Sequence, residues 1–226
     1  MNHLDSMQSK SAWLLLVIGL LGVSSAGAIL INIREVPPIH RAAWRMQASA
    51  LLLFPLMILE RRNLASKNES EAIPYPWVIL SGSFLAAHFA FWITSLDHTT
   101  LTHSLLFVTS HPIVVVFGML AIGQKISRKS LFGVLICMCG AVITAGDIID
   151  GDATLYGDIL AFIGAAAVVG YLAIGRKIRQ KMHLFSYVFP VTAVAAIELT
   201  VLAAIIEPSA KVGLIEWMLS HYIIPV

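Results

Sequence analysis

Long apolar runs, each closed by a short polar or basic stretch, are the feature that most constrains this chain. A helix of about 20 apolar residues is long enough to cross the hydrocarbon core of a bilayer, and runs of this kind are typical of membrane helices. The sequence therefore predicts an all-α, polytopic membrane helix bundle with about seven transmembrane helices. The predicted spans are Trp13–Ile33, Ile39–Leu59, Trp77–Leu96, Leu101–Ile122, Leu131–Gly146, Leu155–Ile174 and Leu184–Ile206.

The composition excludes most other classes of protein. Hydrophobic residues make up 58% of the 226 residues and charged residues only 12%, whereas a soluble domain carries roughly 25% charged residues. A formal net charge of +2 provides no basic surface for nucleic acid, so no nucleic-acid partner is expected. Cys137 and Cys139 are two apart in one run and point to opposite sides of a helix, so they can neither pair nor chelate a metal together.

Basic residues alternate in position with the predicted spans. Eleven of the 15 lysines and arginines precede span one or follow spans two, four and six, and loops rich in these residues stay in the cytoplasm. The prediction is an integral, multi-pass protein in which residues 1–12 form a cytoplasmic amino terminus. The alternative for the first run is a cleaved secretory signal ending at "VSSAGA", but the run continues through "ILINI" for a full span.

The pattern of spans starts again after residue 147. Small residues are frequent in spans one and six, at 22–28 and 164–170, where they let helices approach closely in lipid. Each of these spans is followed by a span with a proline, Pro55 or Pro190. A repeated five-helix unit must be inverted because five is odd, and inverted repeats are typical of secondary transporters. We therefore predict a five-helix repeat at 13–147, two helices of a second repeat at 148–206, and a tail at 207–226.

Four stretches carry a resemblance to a known family. They are "WRMQASALLLFP" at 44–55, "GSFLAAHFAFWITSLDHTTLTHSLLFVTSHPIVVVFGMLAIGQKIS" at 82–127, "GVLICMCGAVITAGD" at 133–147 and "LYGDILAFIGAAAVVGYLAIGRKIR" at 155–179. They resemble the drug/metabolite transporter superfamily, EamA type. The resemblance implies two inverted five-helix repeats around a central cavity, and export or exchange of metabolites, amino acids, sugars or drugs by alternating access.

Individual positions follow and depart from that family. Arg45 matches its arginine early in the second helix, and Pro112 matches the proline in its fourth, but Gln124 stands where the family usually has a glutamate. The sequence also stops after the second helix of the second repeat. The expected alternatives are a shortened product and a part of an assembly, so the implied partners are a small-molecule substrate, the lipid bilayer, and a homo-oligomer or a longer homologue.

Polar residues inside spans are costly in lipid and are therefore site candidates. His88 and Trp92, four apart in span three, share a face and are expected to stack against a ring or sugar; the alternative is a helix–helix contact in which His88 bonds a hydroxyl. Ser104 and His111 share a face of span four, where Pro112 frees a backbone carbonyl that must meet protein or a watery cavity. His111 is expected to line a pathway, with a structural kink as the alternative.

The remaining candidates lie in other spans. Glu198, in span seven with Pro190 as a second kink, is expected to attract a cationic substrate or carry a proton, unless it belongs to an ion pair. Arg41 and Arg45, at one end of span two, either capture an anionic group or extend to the interface. Tyr171 in span six is a further candidate. Four polar residues at span ends are expected to be solvated, namely Asp97, His98, Asp147 and Asp158.

The predicted function is secondary-active transport of small organic solutes. A membrane enzyme is disfavoured because His98, His103 and His111 are not spaced as ligands, and no cysteine or carboxylate joins them at the spacing of a metal site. No catalytic residue, metal or cofactor is therefore expected. One further interpretation stays open, a shortened form that does not transport and that modulates a full-length relative.

Overall fold

The computed structural model describes residues 13, 17, 19–22, 24–67, 73–121, 123–145 and 154–208, and the regular structure within them is α-helix. The predicted amino-terminal segment 1–12 and nearly all of the tail lie outside the described residues. The helices are α1 (Gly19–Ile31), α2 (Pro38–Ser66), α3 (Tyr75–Ser95), α4 (Leu101–Thr109), α5 (His111–Ala121), α6 (Arg128–Ala145), α7 (Leu155–Ile178) and α8 (Leu184–Ile206).

The described helices confirm the predicted all-α membrane bundle. Five spans are long and apolar enough to cross a membrane when α4 and α5 are taken together: α2, α3, Leu101–Ala121, α7 and α8. Large apolar side chains cover the outside of the bundle, with Leu51 exposed by 75% and Ile205 by 70%, as a lipid-facing surface requires. Helix α2 extends beyond the predicted end at Leu59 to Ser66, so the first residues of the predicted loop are helical.

The fourth predicted span is interrupted near its middle. Helix α4 ends at Thr109 and α5 begins at His111, and Ser110 between them bonds the carbonyl of Phe107 through both its N–H (3.2 Å) and its hydroxyl (2.6 Å). Pro112 is the second residue of α5, a position where a missing N–H breaks no intrahelical hydrogen bond. The His-Pro pair thus begins the second of two short helices within one crossing.

Small residues let α7 pack against the end and the middle of α3. Gly157, Ala161, Gly164 and Ala165 are buried, and a Cβ added at Gly157 would lie 2.6 Å from the carbonyl carbon of His98. Close helix approach of this kind supplies the van der Waals contact that holds helices together in lipid. A Cβ added at Gly164 would lie 3.3 Å from the carbonyl oxygen of His88, and one at Gly170 would lie 2.8 Å from the ring of Phe84, so the predicted close packing of the small residues at 164–170 is confirmed.

Helices α2 and α8 are antiparallel, and each is capped by a carboxylate of the other. Glu207, just after α8, accepts hydrogen bonds from the N–H groups of Ile39 (3.0 Å) and His40 (3.1 Å) and from His40 Nδ1 (2.8 Å). Glu60, near the end of α2, accepts one from the N–H of Ser186 (2.6 Å). Each carboxylate satisfies free N–H groups and faces the positive end of a helix. The separation in sequence between Glu60 and Glu207 equals that between Ile39 and Ser186, so the two caps occupy matching positions of α2 and α8.

Candidate functional site

Arg45 lies against aromatic rings of α3 in a group that we call the aromatic cluster, formed by Arg45, His88, Phe89 and Trp92. The guanidinium carbon of Arg45 is 4.6 Å from the ring centre of Phe89 and 5.2 Å from that of Trp92. Within the described residues Arg45 forms no ion pair. Cation–π contact holds the flat guanidinium in place and leaves its N–H groups without a carboxylate.

Gly164 of α7 positions His88 within this cluster. Nδ1 of His88 is 2.9 Å from the carbonyl oxygen of Gly164, and since a carbonyl only accepts, Nδ1 carries the proton. The imidazole is nearly parallel to the indole of Trp92, with ring centres 6.0 Å apart and planes 19° apart. A Cβ at position 164 would meet the carbonyl oxygen of His88 at 3.3 Å, so glycine permits this contact. His88 bonds a backbone carbonyl and not the hydroxyl that the helix–helix alternative predicts.

Trp92 brings a polar atom into the core without a hydrogen-bond partner. Its side chain is 5% exposed, and its indole Nε1 has no partner among the described residues. A buried donor left unpaired costs about 1–3 kcal/mol. The aromatic cluster therefore contains both an unpaired cation and an unpaired donor.

Arg41 is in a different situation, in a group that we call the Asp97 cluster, formed by Arg34, Arg41 and Asp97. Arg41 is 1% exposed and donates to the carbonyl of Leu30 at 2.8 Å and to the carboxylate of Asp97. Arg34 also lies beside Asp97, with 3.7 Å between Nε and Oδ1. Asp97 is less solvated than predicted, with its side chain 22% exposed, because this carboxylate holds the start of α2 against the end of α3.

The prediction that Asp158 is solvated is wrong. This carboxylate is 3% exposed and accepts from the hydroxyl of Thr99 at 2.8 Å, while Nδ1 of His103 lies 3.2 Å from its second oxygen. It therefore links α7 to α4 in the core. Ser104, next to His103, is fully buried and hydrogen-bonded to Ser95 of α3 at 2.6 Å, which makes it part of a helix contact.

His111 and Pro112 line a cavity of about 560 Å³ between α5 and α6, which we call the α5–α6 cavity. Lys125 and Cys137 also line it, and no carboxylate does. The cavity thus joins the polar segment after α5 to the interruption between α4 and α5.

Glu198 lies elsewhere, in a second cavity of about 500 Å³ between α3, α7 and α8. It is half-buried and accepts a hydrogen bond from Ser83 at 2.6 Å. Tyr171 is partly buried against the main core. Helix α8 continues through Pro190 without interruption, so no helix break accompanies the kink predicted there.

The structure groups three of the predicted site residues, Arg45, His88 and Trp92, while His111 lines the α5–α6 cavity. Ser104, Tyr171 and Glu198 are outside this group. Sequence reasoning missed Phe89, although its spacing of three from Trp92 places both on one helix face. It also missed Ser83, and it marked Gly164 as a packing residue without linking it to His88. In the part of the chain that the structure describes, no group of three or more His, Cys, Asp or Glu side chains is placed to hold a metal ion.

An apolar outer surface, long membrane-crossing helices and polar residues that meet inside the bundle define an integral, polytopic helical membrane protein. The family model of the EamA-like transporter family matches residues 9–146. The chain belongs to the EamA-like transporter family. No curated protein and no solved structure matches it.

Proposed function

We propose that the chain is a secondary-active transporter that moves small organic solutes by alternating access between two inverted repeats. Its family consists of membrane transporters, which makes transport the expected activity at the level of the class. We further propose that the amino terminus lies in the cytoplasm, as the distribution of basic residues indicates.

The reciprocal capping of α2 and α8 is the observation that carries this proposal. An inverted repeat has a pseudo-two-fold axis in the membrane plane, which exchanges the two ends of the bundle. Under that exchange Glu60 takes the place of Glu207, and Ser186 takes the place of Ile39. The two caps lie at opposite ends of the helix pair, so one can break while the other stays intact. This is the behaviour that alternating access requires.

A route through the protein is supported by the α5–α6 cavity. Lys125 lies at its cytoplasmic end in the proposed orientation, and His111 lies at its inner end beside the helix interruption. Non-helical backbone at membrane depth is tolerated where it meets protein or a water-filled cavity. We propose that solute passes His111 and reaches Arg45, His88 and Trp92.

We propose secondary roles in transport for three further residues, Glu198, Ser104 and Tyr171. Glu198 is a carboxylate within a membrane span and borders a cavity, so we propose it as a carrier of the coupling proton. Ser104 and Tyr171 are proposed to line the substrate pathway when the helices move. Pro112 supplies the kink, and Pro190 a point at which α8 can bend.

Flux into liposomes tests the transport proposal. The purified chain would be reconstituted and offered radiolabelled amino acids, sugars, nucleosides, organic cations and organic carboxylates, with and without a pH gradient. Saturable uptake of one class is the expected result. Absence of uptake by protein that is shown to be folded and inserted would overturn the proposal and favour a shortened form that modulates a longer homologue.

Labelling of Cys137 tests the alternating-access step separately. In a Cys139→Ser background, Glu60→Gln should open the cytoplasmic end and raise the labelling rate, and Glu207→Gln should open the other end and lower it. A charge at a helix terminus contributes about 0.3–1 kcal/mol, so shifts of about two- to fivefold are expected in opposite directions. Two shifts in the same direction would contradict the exchange of ends.

A further inference from the structure

We propose that Arg45, His88 and Trp92 bind the carboxylate of a small organic anion that also carries a hydrogen-bond donor. This inference rests on the proposed function and deepens it by naming the substrate class. The guanidinium of Arg45 and the indole N–H of Trp92 have no hydrogen-bond or ion-pair partners among the described residues, and a bound solute would satisfy them.

Arg45 supplies the charge and the shape of the site. Its guanidinium is held over Phe89 and Trp92 at 4.6 and 5.2 Å, with no carboxylate beside it among the described residues. A guanidinium presents its N–H groups in a flat fork that matches the two oxygens of a carboxylate. Because contact with two aromatic rings already restricts the guanidinium, less conformational freedom is lost when an anion binds.

Trp92 supplies a second donor in the same cluster, on a ring whose centre is 5.2 Å from the guanidinium carbon of Arg45. Its Nε1–H is buried and unpaired, and a hydrogen bond to a charged acceptor is stronger than one to a neutral acceptor. One guanidinium balances the single charge of a carboxylate, whereas a phosphate dianion would leave excess charge in a desolvated site. A cationic solute would meet the charge of Arg45.

His88 determines what the solute needs besides its carboxylate. Since Nδ1 donates to the carbonyl of Gly164, Nε2 of the neutral ring is an acceptor. A hydroxyl or amine near the carboxylate would donate to it. The α5–α6 cavity also favours an anionic solute, because Lys125 lines it and no carboxylate does. Glu198 borders a different cavity, between α3, α7 and α8.

Binding to the purified, detergent-solubilised chain tests the inference without any need for flux. The probes are pairs that differ only in charge, lactate against lactamide and mandelate against mandelamide, together with inorganic phosphate. Calorimetric titration should show each carboxylate binding at least about tenfold more tightly than its amide, as expected for a charge-assisted pair. Arg45→Gln should abolish that preference, and Arg45→Lys should keep part of it.

Two further variants separate the site from general effects. Trp92→Phe keeps an aromatic ring but removes Nε1–H, so carboxylate affinity should fall about three- to tenfold, the value of one hydrogen bond. Arg34→Gln removes a positive charge from the Asp97 cluster and should leave affinity unchanged. Each variant is first shown to be monodisperse, with a thermal midpoint near that of the parent chain.

The outcomes distinguish this inference from the transport proposal. Carboxylate binding that survives Arg45→Gln unchanged, or phosphate binding as tightly as the carboxylates, would overturn the carboxylate site. Saturable flux of neutral or cationic solutes that Arg45→Gln does not alter would also overturn it and leave transport standing. Selective carboxylate binding without flux would support the site while counting against transport.

Discussion

Arg41 and Arg45 are one helical turn apart in α2 and have opposite environments. Arg41 is fully buried and paired with Asp97 and a backbone carbonyl, while Arg45 is half-buried and lies over two rings without an anionic partner. An ion pair fixed at the end of two helices stabilises their arrangement. A cation that the protein leaves unpaired is available to a ligand.

The antiparallel course of α2 and α3 explains the difference. Arg45 follows Arg41 by about one turn of α2. On the facing side, Trp92, which Arg45 meets, precedes Asp97, which Arg41 meets, by about one turn. The first position meets a carboxylate at the helix end, and the second meets the faces of aromatic rings. Two identical side chains therefore differ in role because of the residues across the helix interface.

The largest expected effect comes from removing Arg41. Arg41→Gln leaves the carboxylate of Asp97 without its main partner, and breaking a buried ion pair costs about 3–5 kcal/mol. Arg45→Gln loses only cation–π contact, about 1 kcal/mol. Thermal unfolding in detergent should show a far lower midpoint for the Arg41 variant. Equal midpoints would contradict the distinction between the Asp97 cluster and the aromatic cluster.

The next effect compares two carboxylates in the same way. Asp158→Asn disturbs the buried contacts to Thr99 and His103, and we expect a loss of about 1–3 kcal/mol, the range for a buried polar group that loses its partner. Glu198→Gln keeps an acceptor for Ser83 beside a cavity, so its midpoint should change little. Flux measured at several pH values should show the opposite ranking: Glu198→Gln should alter the proton dependence of flux more than Asp158→Asn does. Similar behaviour of the two variants in both measurements would remove the basis for separating them.

The smallest effect concerns the glycine beneath the aromatic cluster. Gly164→Ala places a methyl group 3.3 Å from the backbone of α3, so the helices must separate slightly, at a cost of about 1 kcal/mol. The bond from His88 to the carbonyl of residue 164 should lengthen, and carboxylate affinity should fall. Gly118→Ala is the matched control, because nothing lies within 4 Å of the added atom. Calorimetric titration of both variants with mandelate checks this prediction, which fails if the control weakens binding equally.

Much of the fold could be predicted because lipid imposes simple requirements on sequence. Apolar runs located the spans, small residues in span six marked the α7 packing face, and Pro112 marked the interruption between α4 and α5. The spacing of His88 and Trp92 predicted their shared face. Each of these features depends on residues close together in the chain, whose relative placement a helix fixes.

Contacts between distant segments could not be predicted in this way. Asp97 and Asp158 were expected to be solvated, since a position at the end of a span is compatible with water. Both are held by partners on other helices, Arg41 and His103 among them. The separate roles of Arg41 and Arg45 likewise depend on the register of α2 against α3, which neither sequence segment specifies alone.

The two carboxylate caps of α2 and α8 are unequal. Within the described residues Glu207 accepts three hydrogen bonds, and Glu60 accepts one. In the proposed orientation, the closure with more hydrogen bonds faces outward, so the cytoplasmic end would open more readily than the outer end. In the proposed transport cycle, a bound solute would supply the free energy that releases Glu207, and the outer end would close again faster than it opens.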